Sequence, residues 1–190
     1  IMQACLMAPF VIYLRLWQIP PNTLLIQAAR GVLLAIATVC FFAALQHLPM
    51  AEAIAIYFAQ PIILTILSAM FLGEKIRARR IIAIIVGMVG TVIILQPSVM
   101  MFGAAAAFPL GSSIAMAIYM VLTRKIAGSV HPYQMQFIVG IAAVTVLGLA
   151  LVIGAAAGLP GTSFLVPSKQ ELIWIFGMGL AATIGHAFIV

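Results

Sequence analysis

The chain has 190 residues, 66% of them hydrophobic and 6% charged, with a formal net charge of +6. So few polar groups cannot cover the surface of a soluble domain of this size, so the composition excludes that class and indicates an all-α polytopic membrane bundle. The positive charge does not indicate nucleic acid: the basic residues sit between apolar runs, where orientation signals belong, and form no basic face with interleaved aromatics.

Seven apolar segments follow in order, at about 1–14, 31–48, 50–72, 81–96, 104–123, 132–153 and 172–190. Most approach the ~20 residues that cross ~30 Å of hydrocarbon. Pro20-Pro21-Asn22 is expected to break the loop 15–30, and His131-Pro132 opens the sixth segment. The loops 15–30, 73–80 and 124–131 hold eight of the nine basic residues, and Lys169 alone lies in the intervening loops. The basic side is therefore assigned to the cytoplasm, and the first segment runs from outside to inside. The chain starts at Ile1 within one apolar run and ends in another, at HAFIV. It is expected to be a piece cut within a helix at each end.

The third segment, 50–72, carries the most unusual residues. Glu52 stands near its start, Pro61 at its middle, and Glu74, Lys75, Arg77, Arg79 and Arg80 follow its end. At ~100° per residue, Tyr57, Gln60, Pro61, Thr65 and Ser68 share one side. On the fifth segment Ser112, Tyr119 and Thr123 cluster around Met116. Two such stripes suit a substrate cavity inside a bundle. The alternative is that the hydroxyls bond their own helix or join neighbouring helices. Glu52 lies off the stripe, ~80° from Gln60. It is either a proton- or cation-coupling group or an anchor for the helix N-terminus. His186 on the last segment is a second-half pocket candidate or an interhelical hydrogen-bond partner. Ala83/Gly87/Thr91 and Gly177/Ala181/Gly185 read as packing seams. Cys5 and Cys40 fall in apolar runs as inert thiols, with no metal spacing. No segment is expected to hold Lys or Arg near its middle, which disfavours phosphate-bearing substrates. The absence of hydrolase motifs leaves an intramembrane enzyme without support.

The run from Arg30-Gly31 through ALQHLPMAEAIAI, AQPIILTILSAMFLGEK and IIAIIVGMVGTVIILQP resembles an EamA domain of the drug/metabolite transporter superfamily. AMAIYMVLTRKIA is similar to the first helix of a second such domain, and GLAATIGHAFIV to its third. The resemblance implies ten spans in two inverted five-helix repeats, of which this chain holds about the second to the eighth. Residues 1–97 would be the first repeat without its first helix, and 104–190 the first three helices of the second. A five-helix repeat makes the second and seventh spans run oppositely, as the loop charges require. The resemblance further implies a central cavity, alternating access and a multi-pass place in the bacterial inner membrane. The function expected is secondary transport of small metabolites, amino-acid-like or related amphipathic solutes, in the direction of export. An importer of a nucleoside-like or vitamin-like solute, and a non-transporting scaffold, stay open beside it. The expected partners are a small-molecule substrate and the lipid bilayer, with a homodimer left open, and neither cofactor nor metal is expected. The expected substrate-binding residues are Tyr57, Gln60, Pro61, Thr65 and Tyr119, with Glu52 for coupling and His186 in the second half.

Overall fold

A computed structural model describes residues 2–14, 21–74, 76–95, 103–158 and 167–189. The chain is an all-α, multi-pass membrane protein: every regular element among the described residues is helical. The helices are α1 (Met2–Tyr13), α2 (Pro21–Ala44), α3 (Met50–Tyr57), α4 (Gln60–Leu72), α5 (Ala78–Leu95), α6 (Ala107–Ile126), α7 (Pro132–Ala156) and α8 (Lys169–Ile189). A short 3-10 turn, Gly103–Ala106, leads into α6. Four stretches among the described residues are long and apolar enough to cross a bilayer: Thr23–Ala44, Met50–Leu72, Gly103–Ile126 and Pro132–Ala156. Without water, only a segment that satisfies its own backbone can span, and helices do so.

One sequence expectation needs correction. The second segment does not begin at 31, because Pro21 is already helical, the first described residue of α2; Pro20 lies outside the described residues. Proline is tolerated in the first helical turn, where its missing N–H has no intrahelical partner to lose. Arg30 consequently lies well inside the span Thr23–Ala44, and it is buried. The expectation of no basic residue near a segment's middle did not foresee this buried arginine in the first half of the span. Thr23, Gln27 and Arg30, spaced by four and three residues, form a buried polar face on the first half of α2. The Gln27 amide donates to Thr23 Oγ1 at 3.2 Å. The segment 50–72 is one span with the expected bounds, and the helix is interrupted within it at Phe58 and Ala59, just before Pro61.

The fold divides into two compact units, 1–32 with 127–190 and 33–126. They group helices by contact, whereas the repeats expected from sequence are defined by likeness, and the two divisions need not coincide. In the first unit α1 packs on α7 and α8, around buried Met7, Val11, Met135 and Val139. A methyl at Gly31 would collide with the side chain of Ala142 and lie 3.2 Å from the Ala143 nitrogen, so only glycine admits this approach of α2 to α7. In the second unit α6 packs on α3 and α4, and α3 also meets α5. Ala44, Leu48 and Ala53 form a buried cluster there, covered by Phe41, Leu45, Ile56 and Ala105. Ile81, Ile82, Ile85, Val86, Val89 and Ile93 of α5 stay exposed, as do Leu172 to Phe176 of α8. Such surfaces suit acyl chains.

The expected glycine seams look different from Gly31. A methyl at Gly87, Gly177 or Gly185 would meet nothing within 4 Å. Gly31→Ala should therefore destabilise the protein by about 1–3 kcal/mol, the range for overpacking. Gly87→Ala should leave its thermal unfolding near that of the parent. Equal shifts in the two variants, read by unfolding in detergent, would contradict this packing account.

Candidate functional site

The site is built from the break in the third segment. Pro61 has no N–H, so the carbonyl of Tyr57, four residues before it, loses its usual helical partner. The chain answers by tightening. The Ala59 N–H bonds the Ile56 carbonyl at 3.0 Å and the Ile62 N–H bonds the Ala59 carbonyl at 3.1 Å, both with three-residue spacing. Pro61 sits in the first turn of the helix that restarts at Gln60. The break separates Tyr57, which ends α3, from Gln60, which starts α4.

Beside this break the second unit contains an open cavity of about 530 Å³. That is within the usual range of small-molecule sites, ~300–1,000 Å³. Tyr57, Phe58, Gln60 and Pro61 form its wall on the broken span. Thr38, Phe41 and Phe42 come from α2, and Ser112 and Met116 from α6. The Tyr57 ring meets Phe41 edge to face, with centroids 5.6 Å apart and planes at 73°. This is a favoured aromatic geometry, and it holds the phenol against the cavity wall. No charged side chain lines the cavity among the described residues.

The structure thus brings Tyr57, Gln60 and Pro61 of the expected set together. It adds an α2 wall that sequence reading missed, Thr38, Phe41 and Phe42 among its residues, and it does not bring Thr65 or Tyr119 to this cavity. Thr65 is buried against the Ile-rich side between α4 and α5, where it borders a smaller apolar hollow with Ile62, Ile66, Ile81 and Ile84. Its hydroxyl donates to the Pro61 carbonyl at 2.8 Å. Tyr119 is buried on α6. Most hydroxyls in the spans bond their own helix: Thr38 to the Leu34 carbonyl, Thr123 to that of Tyr119, and Thr145 to that of Ile141. Ser112 differs. It donates across to the Ala37 carbonyl of α2 at 2.7 Å and so ties two walls of the cavity together.

Glu52 occupies the first turn of α3, where a negative charge is favoured. The helix start at Pro49 nevertheless has no side-chain cap. Glu52 Oε2 is buried without a hydrogen-bond partner among the described residues. An orphaned buried oxygen costs free energy, and native structures rarely keep one without a use. Glu52 does not line the cavity among the described residues. His186 falls within α8, but its side chain lies outside the described residues.

The comparisons with known proteins bear on this geometry. The EamA-like transporter family matches residues 1–96. The chain is 28% identical over 84% of its length to a pseudopaline exporter of Pseudomonas aeruginosa, covering 54% of that protein. It is 28% identical over 85% of its length to an uncharacterized transporter of Helicobacter pylori, covering 54% of it. It is equally 28% identical over 84% of its length to a riboflavin transporter of Rhizobium johnstonii, covering 50% of it. The chain therefore spans about half the length of the curated relatives it matches. No solved structure matches it.

Two hydroxyl substitutions separate the wall from its surroundings. Ser112→Ala should lower stability by about 0.5–1.5 kcal/mol, the worth of one net hydrogen bond. Thr65→Val should be close to neutral, because the Pro61 carbonyl it bonds belongs to its own helix. Thermal unfolding of the purified variants measures both.

Proposed function

We propose that this chain, which belongs to the EamA-like transporter family, carries small amphipathic metabolites outward across the bacterial cell membrane by alternating access. The observation that carries the reading is the cavity at the Pro61 break: aromatic walls, a few polar groups and no charged lining residue among those described. Broken helices beside a mid-membrane cavity are how secondary transporters expose backbone and polar side chains to a solute. Residues 1–97 and 104–190 are read as parts of two inverted repeats that rock about this site. A carrier is favoured over an enzyme, since the cavity offers hydroxyls and an amide for binding.

The lining narrows the solute class. A free amino acid would bring an ammonium and a carboxylate into a wall that offers neither a counter-charge, which is costly in low dielectric. A flat ring system with a hydrogen-bonding edge fits better. Phe41, Phe42 and Tyr57 supply faces and edges for stacking, and Gln60 supplies both a donor and an acceptor. Import of a vitamin-like ring compound is the second reading. Its solute class, though not its direction, is supported by the riboflavin transporter of Rhizobium johnstonii, which stands at the same identity as the pseudopaline exporter. In either direction Glu52, with its orphaned oxygen, is assigned the coupling proton.

Transport of an aromatic solute into membrane vesicles tests the site. Gln60→Leu should lower it about tenfold, the equivalent of ~1.4 kcal/mol, with unchanged protein in the membrane. Unchanged transport would remove Gln60 from the site and favour a scaffold. Glu52→Gln should abolish accumulation against a gradient while solute binding persists. Undiminished accumulation would leave Glu52 no coupling role.

A further inference from the structure

Of the charged cluster after the third segment, the structure joins Glu74 and Arg80 to Arg124 at the end of α6. Gly73 closes α4 in a left-handed conformation, φ 67° and ψ 19°, which a side chain disfavours. That turn brings the Glu74 N–H back to the Ser68 carbonyl at 3.4 Å. It also places the Glu74 carboxylate among three helix ends. Glu74 Oε2 accepts from Arg124 Nη1, in the last turn of α6, at 3.1 Å, and Oε1 accepts from the same nitrogen at 3.3 Å. Arg124 Nη1 donates as well to the buried Ser68 hydroxyl at 3.2 Å. Arg80, in the first turn of α5, reaches Oε2 at 3.3 Å. One carboxylate thus serves two arginines.

We propose that Glu74 and Arg124 form a reversible latch that holds the cytoplasmic end of the carrier shut, with Arg80 as the partner that keeps Glu74 paired when the latch opens. The inference rests on the two-repeat transport reading, in which α4 and α5 belong to one repeat and α6 to the other. Within that reading Glu74–Arg124 is a bond between repeats, and Glu74–Arg80 a bond within one. The basic-loop rule puts all three on the cytoplasmic side. Breaking a charge pair is costly when it strands an unpaired charge. Here the carboxylate passes wholly to Arg80, and the groups are 36–38% exposed, so Arg124 passes to water. Such a pair is weak enough to open in each cycle. The GE of FLGEK gains a physical meaning: the glycine makes the turn, and the glutamate makes the bond.

The two arginines therefore have opposite effects. Losing Arg124 opens the latch, whereas losing Arg80 leaves Glu74 to Arg124 alone and tightens it. A cysteine placed at the cavity residue Thr38, with Cys5 and Cys40 changed to alanine, reports cytoplasmic opening. It is read by its alkylation rate with an impermeant maleimide in inside-out vesicles. Arg124→Gln should raise the rate about three- to fivefold, and Arg80→Gln should lower it by a similar factor. A double exchange, Glu74→Arg with Arg124→Glu, should return the rate toward the parent value and serves if a single variant folds poorly. Rates that move together, or do not move, overturn the latch. Labelling needs no solute. A carrier that moved no solute while its labelling split in this way would therefore sink the transport reading and leave the latch standing.

Discussion

The second unit depends on a missing hydrogen. Because Pro61 cannot donate, an apolar span that would otherwise be one closed cylinder is broken at Phe58 and Ala59. The break ends one helix at Tyr57 and restarts another at Gln60, and both residues face the same cavity. An unbroken helix would satisfy every backbone group internally and offer a solute only side chains. The break adds a local backbone that is polar and tightly turned, as a site in hydrocarbon requires.

Around this break the polar groups are placed sparingly. Most hydroxyls in the spans, that of Thr38 in the cavity wall included, turn back to their own carbonyls, which weakens them as donors to a solute. Ser112 spends its hydrogen bond on holding α6 to α2. What remains for recognition is the Gln60 amide and the Tyr57 phenol, the latter braced by Phe41. Few polar groups in an apolar wall give orientation without the desolvation cost of charge.

Much of this was legible in the residues. A proline inside an apolar run, flanked by Tyr57 and Gln60 on one side of a helix, announces both the break and the wall. The α2 contribution was not legible, because Phe41 and Phe42 are as apolar as any lipid-facing residue, and periodicity cannot separate a cavity face from a lipid face. Thr65 stands in the same helix as Gln60, but five residues on and so about 140° around an ideal helix, and it is buried toward α5. Arg30 was misplaced for a local reason: Pro20-Pro21 reads equally as a loop or as the first turn of a helix, and only the fold decides that Pro21 is helical. The charged cluster at 74–80 was visible as an orientation signal. Its pairing with Arg124, fifty residues on, is a tertiary fact that no local spacing contains.

The central claim is that the Pro61 break creates the binding wall, and one measurement addresses it directly. Pro61→Ala restores the N–H and allows one continuous helix. The account predicts that the purified variant unfolds at or above the parent's temperature and no longer binds the aromatic solute recognised by the parent in equilibrium binding. Undiminished affinity in a well-folded Pro61→Ala protein would contradict it.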